Sequence, residues 1–174
     1  FIGAEGLAAE FAKTAPPPKV FEGSSFPIAL RIRNKGAYSI KETNKGVLSL
    51  GVERDYISSL AFEKQSRLTP VSDNIAYFYV DGKTQINPQG DETIISSSAK
   101  TGKLDPQSER KESTITATLC YPYRTVLSAT VCIDPDIEGI RPGKKICKVQ
   151  DVSFSSGQGA PIANARIGVT GGGF

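Results

Sequence analysis

Residues 26–36 read FPIALRIRNKG, and this stretch decides the fold class. Its large apolar residues recur at every second position: Ile28, Leu30 and Ile32 point one way, and Ala29, Arg31 and Arg33 point the other. A period of two is the signature of a β-strand. An apolar row backed by arginines describes a strand buried on one face only. Antiparallel sheets tolerate that asymmetry, because one face meets a core and the other meets water.

The same pattern recurs outward from this stretch. VLSLGVE (47–53), IAYFYVDG (75–82), DETIISSSAK (91–100), STITATLCYPY (113–123) and TVLSATVCI (125–133) are short apolar runs separated by Gly, Pro and polar turns. The last two flank Arg124 so closely that they predict an antiparallel hairpin. APPPKVFEGSS (15–25) is too rich in proline for a central strand and reads as an extended edge or crossover. Within 54–74, Leu60, Ala61, Lys64 and Leu68 share a helical face and predict one short helix. About seven short strands over roughly 130 residues predict an all-β fold, an antiparallel immunoglobulin-like β-sandwich. A small closed barrel is the alternative.

The character changes after residue 148, which gives a sandwich over 1–148 and a strand segment over 149–174. The Gly/Ser/Pro-rich SFSSGQGAP separates two further strands, VQDVSFS (149–155) and PIANARIGV (161–169). Two strands alone hold no core. The tail is therefore the start of a second domain, or it docks on the sandwich or on a neighbour. In its second strand Ala163, Ala165, Ile167 and Val169 share an apolar face, opposed by Ile162, Asn164 and Arg166. Such a strand left bare invites aggregation, so it is expected to pair with an open sheet edge, its own or the next subunit's. The edge beside the proline-rich 15–19 segment is the candidate acceptor. Exchange between subunits gives a head-to-tail fibre, with self-association as its consequence.

Composition narrows the chemistry. The 174 residues carry a net charge of +3, with 39% apolar and 22% charged residues, as ordinary globular domains do. The basic stretches RIRNKG (31–36) and RPGKK (141–145) read as a solvated strand and a turn, with no nucleic-acid motif around them. No uncharged apolar run reaches the roughly 20 residues needed to cross a bilayer, so no membrane span is expected in this chain. Met is absent even at residue 1, which reads as a chain that starts inside a longer precursor or after processing. The opening FIGAEGLAAEFA lacks the order of a signal peptide. The chain contains no His, so Ser-His-Asp and Cys-His nucleophiles are unavailable, as is His-based zinc binding.

Three cysteines remain, at 120, 132 and 147. In the expected hairpin Ile115, Ala117, Leu119, Tyr121 and Tyr123 face the core with Leu127, Ala129, Val131 and Ile133. Cys120 and Cys132 then lie on the outer side with Thr116, Thr118, Ser128 and Thr130. Three cysteines without His fall short of a zinc site, and no base beside them activates a thiol. A disulfide between Cys132 and Cys147 closes a loop of about 15 residues, worth ~3 kcal/mol on the chain-entropy model. Cys120 with Cys132 is the second pairing, and three reduced thiols the third reading. Between Cys132 and Cys147, Asp134, Asp136, Glu138 and Gly139 fall on positions 1, 3, 5 and 6 of a calcium-loop pattern, but Lys145 stands where a bidentate Glu belongs. That excludes an EF-hand and leaves a weak oxygen-ligand Ca²⁺ site, or a plain acidic turn, and no other cofactor. An enzyme without His would need paired carboxylates such as Asp134 and Glu138, and nothing in the sequence sets them across a cleft.

The stretch APPPKVFEGSSFPIALRIRNKGAYSI resembles the opening of the CARDB-type, immunoglobulin-like modules of archaeal cell-surface proteins. The matching residues are Pro16, Pro17, Glu22, Gly23, Pro27, Asn34 and Gly36. INPQGDETIISSSAK, CYPYRTVLSATVCIDPD and KKICKVQDVSFSSGQGAP are similar to continuations in long secreted or membrane-anchored proteins of small-genome archaea. The resemblance implies a non-catalytic structural, adhesion or filament module outside the cell, within a longer polypeptide. It carries over no catalytic residue. A glycan- or ligand-binding adhesin module is the alternative, with Tyr77, Phe78, Tyr79, Tyr121 and Tyr123 as stacking candidates and cell-surface glycans or proteins as partners.

Overall fold

A computed structural model describes residues 5–133, 140, 143, 147–154, 157–162 and 166–168. Ten strands form in chain order: β1 (Leu7–Phe11), β2 (Ser25–Asn34), β3 (Gly46–Gly51), β4 (Ile57–Phe62), β5 (Leu68–Pro70), β6 (Ile75–Phe78), β7 (Glu92–Thr101), β8 (Thr116–Cys120), β9 (Val152–Ser153) and β10 (Arg166–Ile167). No helix occurs among the described residues. One sheet has the order β1-β2-β7-β4, a second has β5-β6-β3-β8, and β9 pairs only with β10. All pairs are antiparallel.

β2 behaves as its sequence dictates. Phe26, Ile28, Leu30 and Ile32 are buried, the residues between them face outward, and nine register pairs from Ser25↔Lys100 to Arg33↔Glu92 bind it to β7. Ile57 and Leu60 of β4 and Ile95 and Ala99 of β7 complete this sheet's inner face. Leu48 and Leu50 of β3, Leu68 of β5, and Ala76 and Phe78 of β6 cover it from the second sheet, with Ile40 and Val80 at one end. These side chains make one cluster, so the molecule is an antiparallel sandwich, and among the described residues each sheet has two free edges and no barrel closes. The first sheet has the order that strands A-B-E-D take in an immunoglobulin domain. The β5–β6 hairpin, set in sequence between β4 and β7, has no counterpart in that scheme.

Two expectations are corrected, and one strand is added. The short helix in 54–74 is absent: that span holds β4 and β5. Leu60 of β4 and Leu68 of β5 are both buried but belong to different strands, and Ala61 and Lys64 are exposed, so their common helical face does not form. The hairpin of 113–123 with 125–133 is absent too, because β8 pairs with β3 and residues 121–133 enter no strand. Finally, the opening FIGAEGLAAEFA, which carried no strand expectation, supplies β1, paired with β2 from Leu7↔Asn34 to Phe11↔Leu30.

Buried polar groups are few and bonded. Asn34, 2% exposed, ends β2. Its Nδ2 donates to the carbonyls of Tyr38 (2.8 Å) and Val80 (3.3 Å), and its Oδ1 accepts from Gly36 N at 3.0 Å. Its own amide donates to Asp91 O at 2.9 Å. One side chain thus ties two loops, 35–45 and 79–91, at one end of the sandwich.

Candidate functional site

Residues 121–125 and 159–162 stand on this end. Tyr121 packs against the core, and its hydroxyl accepts from Leu7 N at 3.2 Å. The Arg124 guanidinium lies 5.5 Å from the centre of the Tyr38 ring. Thr125 Oγ1 donates to Ile162 O at 2.6 Å, and Gly159 O accepts from Ala37 N at 2.8 Å. Ala160 is 1% exposed. Gly159 has φ +74°, a conformation that costs side-chain-bearing residues dearly. Residues 121–125 and 159–162 therefore seat side by side in one seam. The space left there is about 10 Å³, room for one water at most.

The cysteines divide as the first pairing expected. Cys132 and Cys147 are joined, with Cα atoms 5.8 Å apart, and Cys120 is free and exposed on the outer side of β8. Asp134, Asp136 and Glu138 lie outside the described residues, as do Arg141, Pro142, Lys144 and Lys145 of the second basic stretch. Of the apolar tail row, Ala163, Ala165 and Val169 also lie outside them. Ile167 pairs with Val152 of the tail's own β9 and not with a sandwich edge. What docks on the sandwich is the segment just upstream, 159–162. That segment, GAPI, has no apolar alternation by which it could have been found.

The candidate aromatics do not converge. Phe78 is fully buried and Tyr121 is held in the seam. Tyr77 lies under Lys45 Nζ at 4.6 Å, and the Tyr79 hydroxyl sits 3.1 Å from Thr69 Oγ1. Tyr123, 42% exposed, lines the seam beside Tyr121. On the other sheet the basic run is matched by acids. Arg31 meets Glu10 and Glu92, each at 3.3 Å, Arg33 meets Glu92 at 2.9 Å, and Lys35 meets Glu5 at 3.0 Å. Arg31, Arg33, Lys35, Glu10 and Glu92 line a groove of about 250 Å³.

The sheet edges differ sharply. A bare edge strand is a template for pairing with another chain, and proteins blunt edges with bulges, prolines, charges or brevity. β4 carries a bulge, and β5 is three residues long and ends at Pro70. β1 carries Glu10 and leads by way of an Ala12–Ala15 turn into Pro16, Pro17 and Pro18. Where β1 stops covering β2, Pro27 removes the outward N–H. β8, TATLC, has none of these devices.

The ladder shows which groups β8 leaves open. In an antiparallel sheet the N–H and C=O of one residue point to the same neighbour, and alternate residues point to opposite neighbours. Leu50 N bonds Asn74 O on the β6 side, so Val47, Ser49 and Gly51 face β8 and meet Cys120, Thr118 and Thr116. The amides and carbonyls of Ala117 and Leu119 therefore point away from the sheet, with no partner among the described residues. No family model and no curated protein sequence matches the chain.

Proposed function

We propose that the chain is a non-catalytic structural and interaction module of an extracellular surface protein or filament, one that assembles through β-strand edges. The observation that carries this reading is the β8 edge, which is uncharged, unbulged and free of proline at the flank of an otherwise blunted sandwich. Strand addition to such an edge gains backbone hydrogen bonds without a preformed pocket. The Cys132–Cys147 disulfide supports an oxidising compartment. The turn-and-strand resemblance to CARDB-type modules supports the same setting.

Sedimentation velocity of the native chain over a dilution series tests the reading. Reversible association is expected, and a monomer at every concentration overturns it. Alkylation before and after reduction tests the compartment. Cys120 alone should react first, with Cys132 and Cys147 reacting only after reduction. Three reactive thiols in freshly isolated material contradict an extracellular setting.

A further inference from the structure

We propose that the open edge of β8 is completed by residues 126–133 of a second copy of this chain. The inference rests on the edge-assembly reading above and names both the edge and its occupant.

Two unexplained features meet in this pairing. The first is the bare edge, with the backbone groups of Ala117 and Leu119 unpaired and the side chains of Ile115, Ala117, Leu119 and Tyr121 only half covered on the core side. The second is the segment VLSATVCI itself. It is β-branched and uncharged, its backbone has no partner among the described residues, and Val126, Val131 and Ile133 are 66%, 51% and 86% exposed. Each feature alone is a liability in water. Together they are complementary. Laid along β8, the Leu127, Ala129, Val131 and Ile133 row extends the sandwich face over the half-covered residues. Ser128, Thr130 and Cys132 then fall outward beside Thr116, Thr118 and Cys120, so the bridge to Cys147 projects into solvent and obstructs nothing.

The chain's own 126–133 segment does not take this place. The residues a hairpin turn would use are held elsewhere: Tyr121 by Leu7 N, Arg124 by the Tyr38 ring, Thr125 by Ile162 O. Pro122 stiffens the exit from β8. These anchors carry the chain into the seam and away from the β8 edge. A second copy supplies the same segment without breaking them. A reciprocal exchange closes a two-fold dimer, and a one-way exchange grows an open chain.

The test is sedimentation velocity of the full chain and three variants over a dilution series, with circular dichroism to confirm folding. Val131→Lys puts a charge on a half-exposed residue of the donor segment, so the folded monomer should not register it. Ala117→Pro removes an N–H that points off the sheet, a substitution edge strands accept. Ile94→Lys, on a residue 51% exposed in β7 of the other sheet, is the control. The expected result is association of the wild type, half-assembly moved to roughly tenfold higher concentration or beyond by Val131→Lys and by Ala117→Pro, and no change with Ile94→Lys. If Ala117→Pro loses its β signal, Val131→Lys decides alone. Association that folded Val131→Lys or folded Ala117→Pro leaves unchanged overturns this pairing while edge assembly stands. A wild type that never associates overturns both.

Discussion

Residues 5–120 and the described residues beyond Cys120 are held by different means. Up to Cys120 the chain is fixed by two sheets and a shared core in which Ile32, Leu48, Ala76 and Phe78 are fully buried. Beyond it, a disulfide, a two-strand pair and the contacts of one seam do the holding. Core burial is cooperative and is lost all at once, whereas a tether opens locally. Stability and assembly are thereby separated: one region supplies the folded body, the other supplies the surface that a neighbour engages.

The largest break in that comparison is Phe78→Ala. The ring is fully buried between the sheets, and its loss should cost about 3–5 kcal/mol in a denaturant titration, felt throughout the body. A loss below ~1 kcal/mol contradicts the core assignment. Asn34→Ala comes next. It strands the Tyr38 carbonyl and the Gly36 amide, and takes one of two donors from the Val80 carbonyl, at a cost of about 1–3 kcal/mol. Differential scanning calorimetry should show the body's midpoint fall.

The remaining changes act on the tethered region. Gly159→Ala strains a residue at φ +74° by about 1–2 kcal/mol. The Ala37 amide, which donates to Gly159 O, should lose roughly tenfold in hydrogen-exchange protection while the global midpoint scarcely moves. Smallest for the body is Cys147→Ser. A bridge essential to folding would contribute ~3 kcal/mol, but Cys132 and Cys147 themselves lie outside both sheets, so thermal melting of the body should be unchanged. A lowered melt would show that the bridge braces the sandwich.

The body was legible because its rule is local. Ile28, Leu30 and Ile32 alternate with charged or small residues, and no distant contact is needed to read a strand from that. The reading failed where position depends on something far away. Leu60 and Leu68 are eight positions apart yet lie in strands of different sheets, so their helical spacing misled in isolation. LAAEF becomes a strand because β2 offers it an edge, not because of its own pattern. The hairpin after β8 was lost to partners such as Leu7, 114 residues from Tyr121 in sequence. Asn34 and Gly36 announced a turn, but not that the asparagine would also bond the distant 79–91 loop. The Cys132–Cys147 pairing was legible from spacing, and the bare edge of β8 became visible only once the neighbouring strands were placed.

Hydrogen exchange read by mass spectrometry at low and high protein concentration tests the role of β8 most directly. The amides of Ala117 and Leu119 and those of 126–133 should exchange freely in dilute solution and become protected together as concentration rises, while the β2 and β7 amides stay protected throughout. Protection of β8 that does not depend on concentration, or a rise confined to another edge, would contradict it.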